Sequence, residues 1–306
     1  MSHTLRAVAL MGATGTGKSA LAMQLAVAAD SSIICCDSMQ LYRGLDIGTA
    51  KPGSDERTLV PHFLVDCCEL PDLYSAARWA QEARIVIASE NAQGRLPLIV
   101  GGTGLYLKAL LQGFADIPDE NPDVRAKFEM QLWVQGVQGL YASLQQCDAV
   151  MAERLKPNDS QRIMRALCVL ESTGRSLADW QSEASSEAVA IDCPVFVLEV
   201  EREVLRERIA LRCQTMMENG WLDEVRWLAT LNLPETHPAM RAVGYRQLLD
   251  HLQGDLSLEK AVSDTITATR RYAKRQVTWF NHQTPDAVHG SAGALQEKMM
   301  GLLEHS

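Results

Sequence analysis

Short apolar runs punctuate the first third of the chain, each closing on glycine or aspartate and each followed by a longer stretch with helical spacing. Positions 6–11 (RAVALM) run into a glycine-rich turn, and 18–29 then has helical composition. Positions 32–36 (SIICC) end at Asp37, 63–65 (FLV) end at Asp66, 75–92 reads as a helix, and 97–100 (PLIV) end at Gly101 and Gly102. Continuous apolar runs mark strands covered on both faces, and helices between them make the strands parallel. The predicted fold class is therefore α/β, a parallel sheet flanked by helices. Loops at the strand C-termini of such a sheet share one rim and form its binding crevice. The glycine-rich turn, Asp37 and Gly101-Gly102 are predicted to meet there.

From about 121 to 187 the strand signal stops, and Gln, Ala, Leu, Met and Arg recur at helical spacing, broken by Gly136, Gly139, Pro157 and Gly174. Positions 194–200 (PVFVLEV) resume the strand pattern. The middle of the chain thus reads as a helical insertion. The predicted division is 1–117 for the first part of the core, 118–190 for the insertion, and 191–306 for the completion of the core and the C-terminal helices. Those helices are expected at 202–217, 221–231, 247–252 and 258–281.

One turn carries recognisable chemistry. Gly12, Ala13, Thr14, Gly15, Thr16, Gly17, Lys18 and Ser19 fit GxxxxGK[ST] and stand between a strand and a helix, where that pattern must stand. Glycines let successive backbone N–H groups turn around a phosphate, the helix N-terminus adds partial positive charge, and Lys18 adds a full one. The fold is accordingly P-loop NTPase-like. Mg²⁺ is the expected cofactor, held through the Ser19 hydroxyl. The motif calls for a di- or triphosphate without choosing between them. Asp37 and Asp66, each after a strand-like run, are candidates for an acid beside the cation. Asp37 also opens a polar, glycine-rich loop over 37–52 with few hydrophobic anchors, which beside a phosphate turn reads as functional.

Composition narrows the class. Of 306 residues 47% are hydrophobic and 22% charged, the balance of an ordinary globular protein. No apolar run approaches the roughly 18 to 20 residues that span a bilayer, and the opening residues lack the plan of a signal peptide, so a cytoplasmic protein with no membrane partner is expected. The eight cysteines include two adjacent pairs and no CxxC, which points to small buried side chains in reducing surroundings. A net charge of −9, from 29 Lys and Arg against 38 Asp and Glu, argues against a polyanion partner when taken as an average. Locally it does not: Arg154, Lys156, Arg162 and Arg165 gather in the insertion, and Arg270, Arg271, Lys274 and Arg275 gather on the last long helix. Such clusters supply phosphate contacts to nucleic acid.

The phosphate turn, DSMQLYRGLDIGTAKP from Asp37, GGTGLY from Gly101, NDSQRI from Asn158 with Arg165, MRAVGYRQ from Met240, and Lys274-Arg275-Gln276 with Thr278-Trp279 together resemble the tRNA dimethylallyltransferases. The blocks fall in that family's order from residue 12 to about 280. The resemblance implies transfer of a dimethylallyl group from dimethylallyl diphosphate to N6 of the adenine 3′ of a tRNA anticodon, with release of diphosphate. It implies Asp37 as general base, and Thr14 as a hydrogen-bond donor to the bridging oxygen of the leaving group. It also implies that Arg212 faces the diphosphate, although the neighbouring Arg206 and Arg208 alone would suggest a solvated helix face. Diphosphate binding falls to 12–19. The anticodon stem-loop contacts implied are Asp37, Ser38, Met39, Gln40, Thr103, Arg125, Gln161, Arg162, Ile163, Met164, Arg165, Arg241, Gly244, Tyr245, Arg246, Lys274, Arg275 and Gln276. Tyr42, Tyr106 and Trp279 are candidates to stack on a flipped base. Two positions depart from the family: Ala13 stands where Pro is usual, and Asn281 where a basic residue is frequent. A monomer is expected. Three other readings remain open from the residues: an ATP-using P-loop kinase, a nucleotide-gated RNA-binding protein, and an isopentenyltransferase acting on free adenine nucleotides.

Overall fold

The strands are short and all parallel: β1 (Leu5–Arg6), β2 (Val8–Gly12), β3 (Ile33–Cys36), β4 (His62–Phe63), β5 (Leu98–Gly101), β6 (Ile191–Asp192), β7 (Val195–Leu198) and β8 (Val288–Gly290). The computed structural model describes residues 4–113, 117–118, 120–183 and 191–304. It divides into two units, Met1–Leu111 with Val189–Ser306, and Gln112–Ala188. The insertion's expected end at 190 lies outside the described residues.

In the first unit six strands order as β4-β3-β5-β2-β7-β8, while β1 and β6 pair separately. The phosphate strand β2 is central, with Val8 opposite Leu98 of β5 and Ala9 opposite Val195 of β7. Side chains alternate between faces along a strand. Ala9, Met11, Ile34, Cys36, Ile99 and Val197 therefore enter one core, with Trp79, Leu107, Leu248 and Phe280 from helices. Val8, Leu10, Ile33, Leu98, Val100 and Phe196 enter the other, with Leu21, Leu25, Leu295 and Met299. Burial on both faces is why the sequence runs show no polar alternation. Helix Ala76–Ala92 starts where Ser75 Oγ accepts the Arg78 N–H, and helix Leu258–Gln283 where Ser257 caps Lys260 in the same way.

Several expectations change. The strand expected at 63–65 stops at Phe63, because Leu64 and Asp66 turn into the left-handed region with φ 58° and 54°. The 37–52 loop is anchored after all, since Leu41, Tyr42 and Leu45 are fully buried. Tyr42 and Tyr106 are core residues, Tyr106 lying stacked on Trp79 at 5.2 Å, so neither is placed to stack on a base. Helices Ser54–Leu59, Gly104–Gln112, Pro238–Arg241 and Ala292–Leu303, and strand β8, had no distinct sequence signal.

The second unit is helical. Helix Pro122–Cys147 breaks at Gly136, whose φ of 67° and ψ of −177° leave helical space, and Ser160–Thr173 ends on left-handed Gly174. Phe128, Leu140, Leu144, Ile163, Met164 and Leu167 form its own core. All eight cysteines are free thiols, five of them buried, but Cys147 is exposed, against expectation. Among the described residues no helix is long and apolar enough to cross a membrane.

Candidate active site

β2 delivers the chain into the phosphate loop, where Gly15 and Gly17 take φ of 85° and 93°. A side chain would be strained in this region, and the conformation turns the loop back on itself before helix Lys18–Ala28 begins. Thr16 is buried, with its hydroxyl on the Ala13 carbonyl at 2.9 Å, so it shapes the loop from inside. Ser19 is exposed on the first turn of the helix. Helix Arg202–Glu218 supports the loop from its side, Arg208 donating to the Thr16 carbonyl at 3.2 Å. Gln276 fastens the rim: its Oε1 accepts the Thr14 N–H at 2.9 Å and its Nε2 donates to the Gly102 carbonyl at 2.9 Å.

Asp37 follows β3. Its Oδ1 accepts the Met39 N–H at 2.9 Å, and the Ser38 N–H goes to the Thr103 hydroxyl at 3.1 Å. Thr14, Lys18, Asp37 and Arg212 line two adjoining cavities of about 340 and 100 Å³. The phosphate turn, Asp37 and Gly101 thus do share the rim, because β3, β5 and β2 are neighbours. Burial lowers the Lys18 pKa from the ordinary lysine value; Asp37 opposes that shift and Arg212 adds to it. Burial also lowers the Arg212 pKa, again opposed by Asp37. Two cations and one carboxylate therefore feel one another in a poorly solvated space. Arg212 is not on a solvated helix face, as its neighbours suggested; it lies one turn beyond Arg208 and points into the cavity.

Asp66 is engaged by two side-chain cations. Its carboxylate takes Lys51 Nζ and Arg57 Nη1 at 2.6 Å each, and against the cost of burial these bonds hold its pKa below the usual range. Among the described residues no three His, Cys, Asp or Glu side chains converge as a metal cluster.

The larger cavity continues along helix Leu258–Gln283, which presents Thr265, Thr269, Tyr272 and Gln276 to it at spacings of one helical face. Burial first, and then Asp37, push the Tyr272 phenol up. None of the first three was anticipated; the available signal was polar residues recurring at helical spacing on a helix whose other inner positions are apolar.

The expected RNA-facing residues fall into different environments. Arg241 and Arg275 are exposed and line the larger cavity, and Arg246 and Lys274 are exposed. Trp279 is half-buried. Gln40 is turned into its own loop, donating to the Thr49 and Ala50 carbonyls at 3.0 and 3.1 Å. Gln276 is committed to the rim as described. Tyr245 is buried and its hydroxyl is held by Glu224 at 2.6 Å, while Gly244 packs under Trp221. In the second unit Gln161 and Arg162 are exposed, but Arg125 and Arg165 share Glu120 at 2.7 and 2.9 Å. Ile163 and Met164 belong to that unit's core, so their side chains are not offered to RNA. Alternate faces of one amphipathic helix account for the split within 161–165.

Comparison with known proteins bears on the fold and the family. A family model described as IPP transferase matches residues 40–283, and one described as isopentenyl transferase matches residues 5–68. The chain is 44% identical over 301 residues to a tRNA dimethylallyltransferase of Azorhizobium caulinodans, covering 97% of this chain and 96% of that one. It is 45% identical to that of Methylococcus capsulatus, covering 90% and 89%. The fold matches the crystal structure of a tRNA isopentenylpyrophosphate transferase from Bacillus halodurans with a TM-score of 0.71, 32% identity and coverage of 99% and 98%. It matches a eukaryotic dimethylallyltransferase acting on tRNA with a TM-score of 0.79, 27% identity and coverage of 94% and 74%. With a matching model over most of its length, and such relatives along nearly all of it, the chain belongs to the tRNA dimethylallyltransferase family.

Proposed function

We propose that the two cavities shared by Thr14, Lys18, Asp37 and Arg212 carry the family's alkyl transfer. The chain is a transferase that moves the dimethylallyl group of dimethylallyl diphosphate to an adenine N6 of tRNA; the base 3′ of the anticodon is our assignment of the target. The observation that supports the site is the placement of two desolvated cations and one carboxylate on the same walls. Lys18, Arg212 and the N–H groups of the phosphate loop bind the diphosphate. Charge develops on the bridging oxygen as the allylic C–O bond breaks, and the electron pair leaves with the diphosphate. The Thr14 hydroxyl donates there, and preorganised donors of this kind cost little reorganisation during reaction.

The acceptor amine is weak, because its lone pair is delocalised into the purine. As the C–N bond forms, its proton passes to Asp37, whose Oδ1 is steadied by the Met39 N–H. Mg²⁺ fits a donor set of one hydroxyl, Ser19, with diphosphate oxygens and retained water, and would spread the leaving group's charge. Arg241, Arg246, Lys274 and Arg275 hold the RNA in the first unit, and Gln161, Arg162, Arg165 and Arg125 in the second. The phosphate loop is common to kinases, and it is membership of the transferase family that favours alkyl transfer over the kinase alternative.

The test is incubation of the protein with Mg²⁺, labelled dimethylallyl diphosphate and unmodified tRNA. Label is expected in tRNA at the adenine 3′ of the anticodon. Asp37→Ala is expected to keep diphosphate and tRNA affinity while losing most turnover, on the order of the 10²- to 10⁴-fold that general bases supply. Turnover near the parent level would place the base elsewhere.

A further inference from the structure

One carboxylate outside the reacting cavity has an unusual load. Glu224, on helix Trp221–Thr230, accepts the N–H groups of three consecutive residues: Asp46 at 2.8 Å and Ile47 at 2.7 Å on Oε2, and Gly48 at 3.0 Å on Oε1. Oε1 also accepts the Tyr245 hydroxyl at 2.6 Å. The three N–H groups open a tight turn, in which Ala50 and Lys51 return to the carbonyls of Ile47 and Asp46 at 3.0 Å. Such groups have no partner within their own turn and form a concave site for an anion. Glu224 fills it from another element, almost 180 residues away in sequence.

What this bond joins is specific. Gly48 and Thr49, at the far end of the loop that begins with Asp37, line the larger cavity; so do Trp221 and Tyr245, on the side of the 241–246 segment. Glu224 stands behind both walls and is bonded to each. The packing leaves little slack. A Cβ on Gly48 would lie 2.0 Å from Trp221 Nε1, and one on Gly244 would lie 2.0 Å from Trp221 Cη2. Only glycine permits that approach at either position. Tyr245 stays protonated as a donor, because burial and then the Glu224 charge push its phenol up.

We infer that Glu224 is a positioning residue for the acceptor: by holding residues 46–48 and Tyr245 on one carboxylate it fixes the spacing of the two cavity walls between which the target nucleotide must seat. The inference rests on the assignment of this cavity to alkyl transfer. Glu224 makes no hydrogen bond to Lys18, Arg212 or the phosphate loop, its partners being Asp46, Ile47, Gly48 and Tyr245, so donor binding is not tied to it directly. A wall that has drifted leaves the diphosphate in place but presents the amine to Asp37 in the wrong geometry, and misplacement of this size is costly in rate.

The variants Tyr245→Phe, Glu224→Gln and Glu224→Ala make a graded series. The first removes one of four donors; the second turns an amide N–H₂ toward two of them; the third removes both acceptor oxygens. The readouts are calorimetric affinity for inorganic diphosphate, steady-state kinetics with tRNA, and thermal melting, with kinetics taken well below the melting point of the least stable variant. Diphosphate affinity is expected to stay within about twofold of the parent across the series, while kcat/KM for tRNA falls in the order Tyr245→Phe, Glu224→Gln, Glu224→Ala, reaching a loss of about tenfold or more at Glu224→Gln. Glu224→Asp, which keeps both oxygens on a shorter arm, should recover part of the loss. Lower melting with unchanged kcat/KM for tRNA would make the carboxylate merely structural and overturn the inference. An equal loss of diphosphate affinity would overturn it too. Failure of the assigned chemistry itself would show in the parent protein, as absence of label in tRNA.

Discussion

Lys18 enters the cavity with its charge already made costly by burial, and that has a measurable consequence. An ammonium binds diphosphate only while protonated. Its pKa is lowered by desolvation, with Arg212 adding to the effect and Asp37 opposing it, so the cation is lost at a lower pH than for an ordinary lysine. The free protein should therefore bind inorganic diphosphate progressively more weakly as pH rises from neutral toward the usual lysine range. Lys18→Arg should flatten that alkaline limb, because a guanidinium keeps its charge, although the fit to the diphosphate changes. Calorimetric titration at stepped pH is the check, and identical limbs in the two proteins would remove Lys18 from the titration. The phosphate loop was legible at this scale because its chemistry is local: glycine, lysine and serine at fixed offsets act through backbone they themselves supply. Asp37 was legible as the end of a strand beside it. Arg212 was legible only through family resemblance, since nothing along its own helix distinguishes a cation that points inward from Arg206 and Arg208. Ile163 and Met164 stand in a polar motif yet are buried, and Tyr245 lines the larger cavity while its hydroxyl is taken by Glu224. Contiguity in sequence does not make 161–165 one surface, because the helix turns Ile163 and Met164 into a core and leaves Gln161 and Arg162 outside.

The long helix Leu258–Gln283 organises the site at the scale of elements. From Thr265 to Gln276 it runs about 16 Å beside the cavity, at 1.5 Å per residue. Its last polar residue on that face locks two loops together, the phosphate turn through Thr14 and the end of β5 through Gly102. Gln276→Leu keeps the approximate volume and removes both bonds, leaving the part-buried Thr14 N–H and the buried Gly102 carbonyl without this partner. Each such group costs about 1–3 kcal/mol. The variant should melt at a lower temperature and bind diphosphate about tenfold or more weakly, since the loop is no longer held in its binding shape. Unaltered diphosphate affinity in a folded variant would show that the loop keeps its shape unaided. The helix itself was readable from its period and the four parallel strands that build the crevice from their apolar runs. What could not be read is pairing at a distance: the Gln276 bridge spans 262 residues to Thr14, and strand β8 is three residues long. Short elements carry too few residues for a period to declare itself, and β8 exists because it pairs with β7 at the sheet edge, not because of its own apolar pattern.

For the whole molecule, the question is how a chain with net charge −9 holds tRNA, and the answer offered is distribution. Attraction to a polyanion depends on the cations within a Debye length of its phosphates, about 8 Å at physiological salt, and not on the total. Many of the acids are already occupied: Glu120 by Arg125 and Arg165, Asp66 by Lys51 and Arg57, Glu90 by Arg95. Arg241, Arg246, Lys274 and Arg275 are exposed around the cavity and helix assigned to RNA. Each cation that meets a phosphate releases counterions, so the logarithm of tRNA affinity should fall linearly with the logarithm of salt, by about 0.7–0.9 per contact. Arg241→Ala and Lys274→Ala should each weaken binding and lower that slope by about one contact's worth. Arg6, on β1 at the opposite end of the strands from the crevice, is the control, and Arg6→Ala should leave the slope unchanged. Arg165 offers a sharper case. Its guanidinium is shared with Glu120 in the free protein, so a phosphate must compete for it. Arg165→Ala should flatten the slope, while Glu120→Gln should strengthen tRNA binding by freeing the same side chain. Filter-binding or anisotropy titrations over a salt series measure all of these. If Arg241→Ala, Lys274→Ala and Arg165→Ala leave the slope where Arg6→Ala leaves it, the RNA is held by shape and stacking, and the acidic average describes the binding surface after all.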